Sequence, residues 1–126
     1  PRRDWLDRLP RARHTRYVAQ AQPADLVPEM PDHSFLLCLT QGHASDLPVL
    51  RRALAERNFP YLGVIGSAAK AAVLRRELVA AGIPATRARG FHCPVGLPFG
   101  SNQPHEIALS IAAQLLSVRD ALPPAR

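Results

Sequence analysis

The stretch Tyr61-Leu-Gly-Val-Ile-Gly-Ser67 decides the fold of this chain. Its first five residues are apolar or glycine, and they show no alternation with polar residues, as in a strand buried on both faces. A second run of this kind, Phe35-Leu-Leu-Cys-Leu39, lies upstream. Strands buried on both faces are typical of parallel sheets that helices cover. The two runs therefore predict an α/β fold.

The turn-rich loop after the upstream run predicts the start of a helix. Asp46 is a good N-cap residue, and Pro48 is tolerated in a first helical turn. We expect this helix to stop near Asn58, because Pro60 disfavours a helical conformation in the residue before it. The apolar face of the helix is formed by Leu47, Leu50 and Leu54.

Two further helices are predicted downstream. Ser67 is expected to cap a helix over residues 68–81, and Gly82 to take the left-handed conformation that ends it. Pro104 is a good first residue for the last helix, which should run to about Asp120. Glu106 in the first turn suits the positive end of the helix dipole. The apolar stripe of the earlier helix is formed by Val73, Leu74 and Leu78.

The chain divides into a lead-in segment and a folded domain. Residues 1–34 are rich in proline, arginine and polar residues. We expect them to be irregular, apart from a short helix near Asp4 to Arg8 and a short strand at Tyr17 to Ala19, with a loop over Pro23 to Pro31. Residues 35–122 are predicted to form an α/β domain of alternating strands and helices. Its parallel sheet contains a right-handed βαβ unit.

Composition narrows the class of protein. A chain of 126 residues holds one domain, and its two cysteines do not make a disulfide scaffold. No apolar run approaches the ~20 residues that cross a bilayer, and no signal-peptide pattern opens the chain. We therefore predict a cytoplasmic protein without membrane contact.

The net charge is +6, but six of the 15 arginines lie in the first 16 residues, without interleaved aromatics. This pattern favours a solvated basic face over nucleic-acid binding.

Both predicted strands end in residues suited to ligand binding. Open parallel sheets bind ligands beyond the carboxyl ends of their strands. His43 and Asp46 follow the first strand, whereas Gly66 and Ser67 follow the second, with Lys70 one turn into the helix. The amides at that helix N-terminus favour an anion, and the lysine can add a point charge to a phosphate. A plain N-cap beside a solvated lysine explains the same residues.

Histidine and cysteine suggest further chemistry. His43 is either a general base or ligand-orienting group, or a loop histidine bonded to a backbone carbonyl. Cys93 lies on a glycine-rich loop, where an exposed thiol can ligate or protect a soft metal centre, whereas Cys38 is expected to be a buried apolar residue. The His92-Cys93 pair lacks the four ligands of a zinc site, so no metal site is predicted. A nucleophilic Cys93 needs a base, and nothing in the sequence fixes a histidine beside it.

Three blocks of sequence together resemble one family. They are Leu39-Thr-Gln-Gly-His-Ala-Ser-Asp-Leu47, then Tyr61 to Ser67 with Lys70, then Cys93-Pro-Val-Gly-Leu97, which continues to Ile111-Ala-Ala-Gln-Leu115. The order and spacing of these blocks, from about Pro31 to Arg119, resemble the C-terminal Rossmann-like domain of the xanthine dehydrogenase accessory proteins of the XdhC/CoxI type.

The resemblance implies a molybdenum-cofactor chaperone with no catalytic activity of its own. Family members bind the cofactor, protect it around its sulfuration and deliver it to xanthine dehydrogenase or a related molybdenum hydroxylase. A sulfurtransferase as a second partner, NAD(P) as a second ligand and a homodimer all stay open. The cofactor-binding residues expected from the resemblance and the strand ends together are His43, Asp46, Gly66, Ser67, Lys70, Cys93 and Gly96.

The chain also departs from the family pattern. Family members begin this domain with a strand and a glycine-rich GAGH-type turn, followed by a strand ending in Asp-Pro-Arg. The chain opens at Pro1-Arg2, which resembles the end of that motif. The resemblance therefore implies a fragment of a longer protein, in which residues 35–122 form a partial Rossmann-like, three-layer domain that lacks its first βαβ portion. Such a fragment would expose a sheet edge that invites pairing with another chain.

Other functions remain open at this stage. The runner-up is a Rossmann-type enzyme that uses a nucleotide, or a transferase that modifies the same cofactor. Neither standard nucleotide loop, GxGxxG or GxxxxGK[ST], is present. A regulatory or interaction domain without a small ligand is the third alternative.

Overall fold

Strands and helices alternate in the predicted order in the computed structural model, which describes residues 14–40 and 42–123. A 3-10 helix precedes the first strand, and a short helical turn lies between the last two long elements. The elements are the 3-10 helix Pro23–Glu29, β1 Phe35–Cys38, α1 His43–Glu56, β2 Tyr61–Val64, α2 Ala68–Ala80, α3 Ala85–Ala88 and α4 Pro104–Ala121.

β2 is bonded on both of its edges, although the described sheet has only two strands. It pairs in parallel with β1, so that Phe35 lies opposite Tyr61. On its other side the backbone of His92 donates to Leu62 O at 2.8 Å and accepts from Val64 N at 2.9 Å. All four residues of β2 are buried, whereas Cys38 alone is buried in β1. The prediction of burial on both faces is therefore confirmed for β2, whereas Phe35 to Leu37 of β1 are only partly buried.

Helices cover both faces of the sheet. Successive side chains of a strand point to opposite faces. Leu62 and Val64 join the core that α1 and α2 complete. Tyr61 faces the other way, where its hydroxyl donates to Gln114 Oε1 of α4 at 2.6 Å. This arrangement confirms the predicted three-layer, Rossmann-like α/β fold. The core residues that α1 and α2 supply are Val49, Leu50, Ala53, Leu54, Leu74 and Leu78.

The first long helix starts earlier than predicted. Gly42 is the N-cap of α1, so the prediction that Asp46 caps this helix is wrong. The Asp46 carboxylate instead bonds residues from two other parts of the chain. Pro48 consequently lies inside the helix, where it cannot donate to the carbonyl of Ala44. Ala44 is exposed, so water can bond that carbonyl.

The second and last long helices match their predicted ends closely. Ser67 Oγ accepts from Lys70 N at 3.2 Å, which confirms the predicted cap of α2. Gly82, which follows the C-cap of α2, has a φ of +99°, as predicted. Ala71 rather than Val73 lies on the buried face of α2. α4 begins at Pro104 as expected.

The lead-in segment is more ordered than predicted near the sheet. Tyr17 to Ala19 form no strand, and the predicted loop over Pro23 to Pro31 is mostly a 3-10 helix. Arg57 fastens this helix to the domain, since its guanidinium donates to the carbonyls of Val27 at 2.9 Å and Met30 at 2.7 Å. The helix predicted near Asp4 to Arg8 lies outside the described residues.

Candidate functional site

The turns that follow β1 and β2 meet at the carboxyl edge of the sheet. Lys70 Nζ donates to Asp46 Oδ2 at 2.8 Å and to the carbonyl of Ile65 at 2.8 Å. Thr40 Oγ1 donates to Asp46 Oδ1 at 2.5 Å. We call these three side chains, Thr40, Asp46 and Lys70, the edge cluster. The edge cluster brings together the two strand ends that the sequence analysis singled out.

The charged pair of the edge cluster, Asp46 and Lys70, is largely shielded from water, whereas Thr40 is exposed. The side chain of Asp46 has no exposed surface, and that of Lys70 is 16% exposed. The alternative of a solvated lysine is therefore wrong. Because the ammonium already neutralises Asp46, the pair carries no net charge toward a ligand. A role of Lys70 in phosphate binding stays a prediction, and any such ligand competes with Asp46 for the ammonium.

Gly66, Ser67 and Cys93 adjoin the edge cluster. A Cβ at Gly66 would lie 2.5 Å from Lys70 Cδ and 3.3 Å from Cys93 Sγ, so a side chain there would displace Lys70 from Asp46. Cys93 Sγ lies 3.6 Å from the carbonyl oxygen of Ser67, to which the thiol donates. Four predicted site residues, Gly66, Ser67, Lys70 and Cys93, thus lie next to one another.

Both thiols near the edge cluster are held in the protonated form. Burial raises the pKa of Cys93, and the nearby Lys70 and Arg75 offset part of that effect. Burial, with a smaller contribution from the charge of Asp46, raises the pKa of Cys38 to about 12. Cys38 is buried in β1 as expected. Cys93 is therefore a protonated thiol at neutral pH rather than a preformed thiolate.

The neighbouring histidine does not activate Cys93 in the described structure. The His92 ring stacks on Tyr61, with 4.8 Å between the ring centroids. Partial burial there lowers the pKa of His92, which favours its neutral form. Among residues 14–40 and 42–123, no hydrogen bond joins the His92 ring to the Cys93 thiol, and no group of three His, Cys, Asp or Glu residues is arranged to hold a metal.

Gly96 lies against α4 rather than in the edge cluster. Its φ is +97°, and a Cβ there would lie 2.5 Å from Ser110 Oγ. Gln114 bonds both backbone groups of Gly96, accepting from N at 2.9 Å and donating to O at 3.3 Å. The contacts of Gly96 explain its presence through the fit of its loop to α4. Its role in cofactor binding stays a prediction.

His43 is the first residue of α1, so its backbone lies at the carboxyl edge. Its side chain lies outside the described part of the structure, and its predicted role stays a prediction. Two residues that lie close to the site, Thr40 and Gln114, were not among the predicted site residues. Thr40 directly follows the apolar run, which was a usable signal. Gln114 is a polar residue within the apolar stretch of the last helix, the pattern of a buried amide that needs partners.

The remaining feature of this edge is the N-terminus of α2. The first amides of a helix have no intrahelical acceptor, and here they belong to the exposed residues Ala68 and Ala69. The positive end of the helix dipole therefore lies at the carboxyl edge of the sheet. Together with the Ser67 hydroxyl and the Cys93 thiol, these amides suit a ligand that has both an anionic group and a soft centre.

A helix-covered parallel sheet with polar side chains gathered at the carboxyl ends of adjacent strands defines a Rossmann-like α/β protein. The sequence assigns the chain to one family within this class. The family model of the XdhC Rossmann domain matches residues 2–115, and the chain belongs to that family, as the three sequence blocks predicted.

Two relatives show how much of a longer protein the chain represents. It is 33% identical over 70 residues to a protein of Escherichia coli (strain K12) named uncharacterized protein YqeB, a match that covers 56% of the chain and 13% of that protein. It is also similar to a crystal structure of a xanthine dehydrogenase from Bacillus halodurans, with 28% identity and a TM-score of 0.62. That match covers 82% of the chain and 29% of the solved one. The chain therefore spans less than a third of either relative.

No helix among the described residues has both the length and the apolar character that a membrane span requires.

Proposed function

We propose that this chain is the Rossmann-like part of an accessory protein that binds molybdenum cofactor and serves xanthine dehydrogenase or a related molybdenum hydroxylase. Membership of the XdhC family and the similarity to the Bacillus halodurans structure support the accessory role. The proximity of Gly66, Ser67, Lys70 and Cys93 at one edge of the sheet carries the cofactor proposal.

The residues of this edge fit the chemistry of the cofactor. Its phosphate suits the exposed amides of Ala68 and Ala69 and the Ser67 hydroxyl. Cys93 provides a soft sulfur atom beside them. When bound, the cofactor supplies the molybdenum–sulfur centre that the served enzyme uses. Thr40 and Asp46 hold Lys70 in place, so the wall of the site keeps its shape without adding net charge.

The same residues favour a chaperone over an enzyme. Covalent catalysis by Cys93 requires a thiolate and a base within hydrogen-bond reach. The raised pKa of Cys93 and the stacking of His92 on Tyr61 oppose both requirements. A site that contacts its ligand without a preformed nucleophile suits protection and transfer of a cofactor.

A pair of Ser67 variants tests the phosphate position. Asn and Asp both cap helices as well as Ser does, so neither Ser67→Asn nor Ser67→Asp should loosen α2. Only Ser67→Asp places a negative charge against the phosphate. We expect it to weaken binding of isolated molybdenum cofactor roughly tenfold, and Ser67→Asn to change it less than about threefold. If the two variants bound the cofactor equally well, the proposal that its phosphate lies at this helix end would be wrong.

Reconstitution tests the accessory role. The intact protein that contains this chain, loaded with cofactor, should restore activity to an apo molybdenum hydroxylase, and Cys93→Ala should reduce the restored activity. Ser117→Ala, on the exposed part of α4, is the matched control. Turnover of an added nucleotide without any partner would instead establish the enzyme alternative.

A further inference from the structure

An open groove of about 570 Å³ lies between the outer sides of α2 and α3, away from the residues assigned to the cofactor. Three arginines, Arg75, Arg76 and Arg89, contribute to its lining. The rest of the lining is apolar and consists of Ala72, Val79, Ala85 and Ala88.

The groove arginines differ from the arginines that hold the fold. Arg57 bonds three carbonyls and Asp32, and Arg87 bonds Leu54 O, Arg57 O and the Asn58 side chain. In contrast, none of the three groove arginines pairs with a carboxylate among the described residues. Three guanidinium groups therefore share one surface without an ion pair to a described carboxylate.

One of these arginines is preordered. The Arg75 guanidinium lies over the Phe91 ring, with 5.5 Å from Cζ to the ring centroid, and Phe91 is itself a core residue. Arg75 Nε is buried and has no hydrogen-bond partner among the described atoms. A fixed guanidinium loses little side-chain entropy when it binds a carboxylate.

The apolar part of the groove determines which anion fits. Val79 is 48% exposed beside the arginines, so the groove offers an apolar contact as well as positive charge. A free phosphate would leave this apolar surface in water. A peptide segment that carries an apolar side chain between carboxylates would cover Val79 and pair the arginines.

We propose that the groove formed by Arg75, Arg76, Arg89 and Val79 is a docking site for an acidic, amphipathic segment of a partner protein. This inference is independent of the cofactor site. Charge complementarity supplies orientation and association rate, and the apolar contact lengthens the life of the complex.

Fluorescence anisotropy tests the proposal. It measures the binding of the full 126-residue chain to a fluorescein-labelled 15-residue peptide in which pairs of Glu alternate with pairs of Leu. The double variant Arg76→Gln, Arg89→Gln removes two unpaired charges and no described hydrogen bond, so it should fold normally. We expect Kd to rise roughly tenfold for this variant. The matched control Arg16→Gln, Arg51→Gln removes the same charge from exposed positions elsewhere and should change Kd less than about twofold.

Two further arms exclude simpler explanations. Val79→Ser should weaken binding several-fold without changing its salt dependence, and the Gln counterpart of the peptide should bind much more weakly than the Glu peptide. Equal losses in the groove and control variants would overturn the proposal, since binding would then follow net charge alone. Full displacement of the peptide by millimolar inorganic phosphate would also overturn it, in favour of a small-anion site.

Discussion

Lys70 and Asp46 join the two turns that follow the parallel strands, with 2.8 Å between Nζ and Oδ2 and no exposed surface on the Asp46 side chain. The two residues are 24 positions apart and belong to different helices. This pair fixes α1 and α2 relative to each other at the edge where the proposed ligand binds.

Asp46→Asn should destabilise the protein strongly. It leaves the mostly buried Lys70 ammonium without its counter-charge, which costs about 3 kcal/mol. Adding Lys70→Met should recover a large part of this loss, because the unpaired charge is removed as well. Urea unfolding measures both. Asp25→Asn, which breaks an exposed pair with Arg52, is the control and should cost less than ~1 kcal/mol. Equal losses for Asp46→Asn and Asp25→Asn would contradict the assigned role of the pair.

Gly96→Ala should destabilise the loop that packs on α4. Its backbone has φ +97°, and an added Cβ meets Ser110 Oγ at 2.5 Å. The conformation alone should cost about 1–3 kcal/mol. Gly42→Ala is the matched control, because Gly42 has a negative φ and open space around it, so its cost should stay below ~1 kcal/mol. Thermal unfolding distinguishes the two variants, and similar melting temperatures would argue against strain at Gly96.

Cys38 should make the protein less stable at alkaline pH. Its pKa is raised from 9.0 to about 12 in the folded state, so the folded protein keeps a proton that the unfolded chain releases. Stability from this group is therefore fully present below pH 9 and falls as the pH rises toward 12. Cys38→Ala should lose some packing energy at pH 7 but show a shallower fall above pH 9. Urea unfolding across this pH range measures the difference in slope, and parallel curves would show that Cys38 does not contribute.

Arg57→Lys should release the 3-10 helix from the domain. Lysine keeps the charge but cannot reproduce the planar set of donors that Arg57 directs at Val27, Pro28, Met30 and Asp32. We expect the amides of Asp25 and Met30 to exchange hydrogen faster, while those of β2 stay protected. Arg51→Lys, at an exposed position of α1, the helix that Arg57 follows, should change neither rate. Uniform acceleration across the whole chain would instead indicate global destabilisation.

Local patterns were sufficient to predict the long elements of the fold. The apolar runs located both strands, and Ser67, Gly82 and Pro104 marked helix ends correctly because each acts through bonds or backbone angles within a few residues. The 3-10 helix was missed, although Pro23 at its start and Asp25 in its first turn are ordinary helix signals.

Long-range polar contacts were beyond the reach of sequence spacing. Asp46 was assigned to a local cap, whereas its partners are Thr40 and Lys70. Gln114 bonds Tyr61, 53 positions away, and the Gly96 loop. Such partners depend on how the layers pack, which residue spacing along one element does not encode. The glycine-rich loop around Cys93 and the chemistry implied by the family resemblance together brought Cys93 into the candidate site, and the structure shows how closely it approaches Ser67.

The main-chain bonds from His92 to Leu62 and Val64 have a consequence for Cys93, the next residue. Its location is set by peptide groups of the sheet rather than by the sulfur. Exchange of that sulfur for oxygen or selenium therefore alters polarisability and acidity at a nearly fixed point. The atom at this position can thus be changed from sulfur to oxygen or selenium while the backbone around residue 93 stays in place.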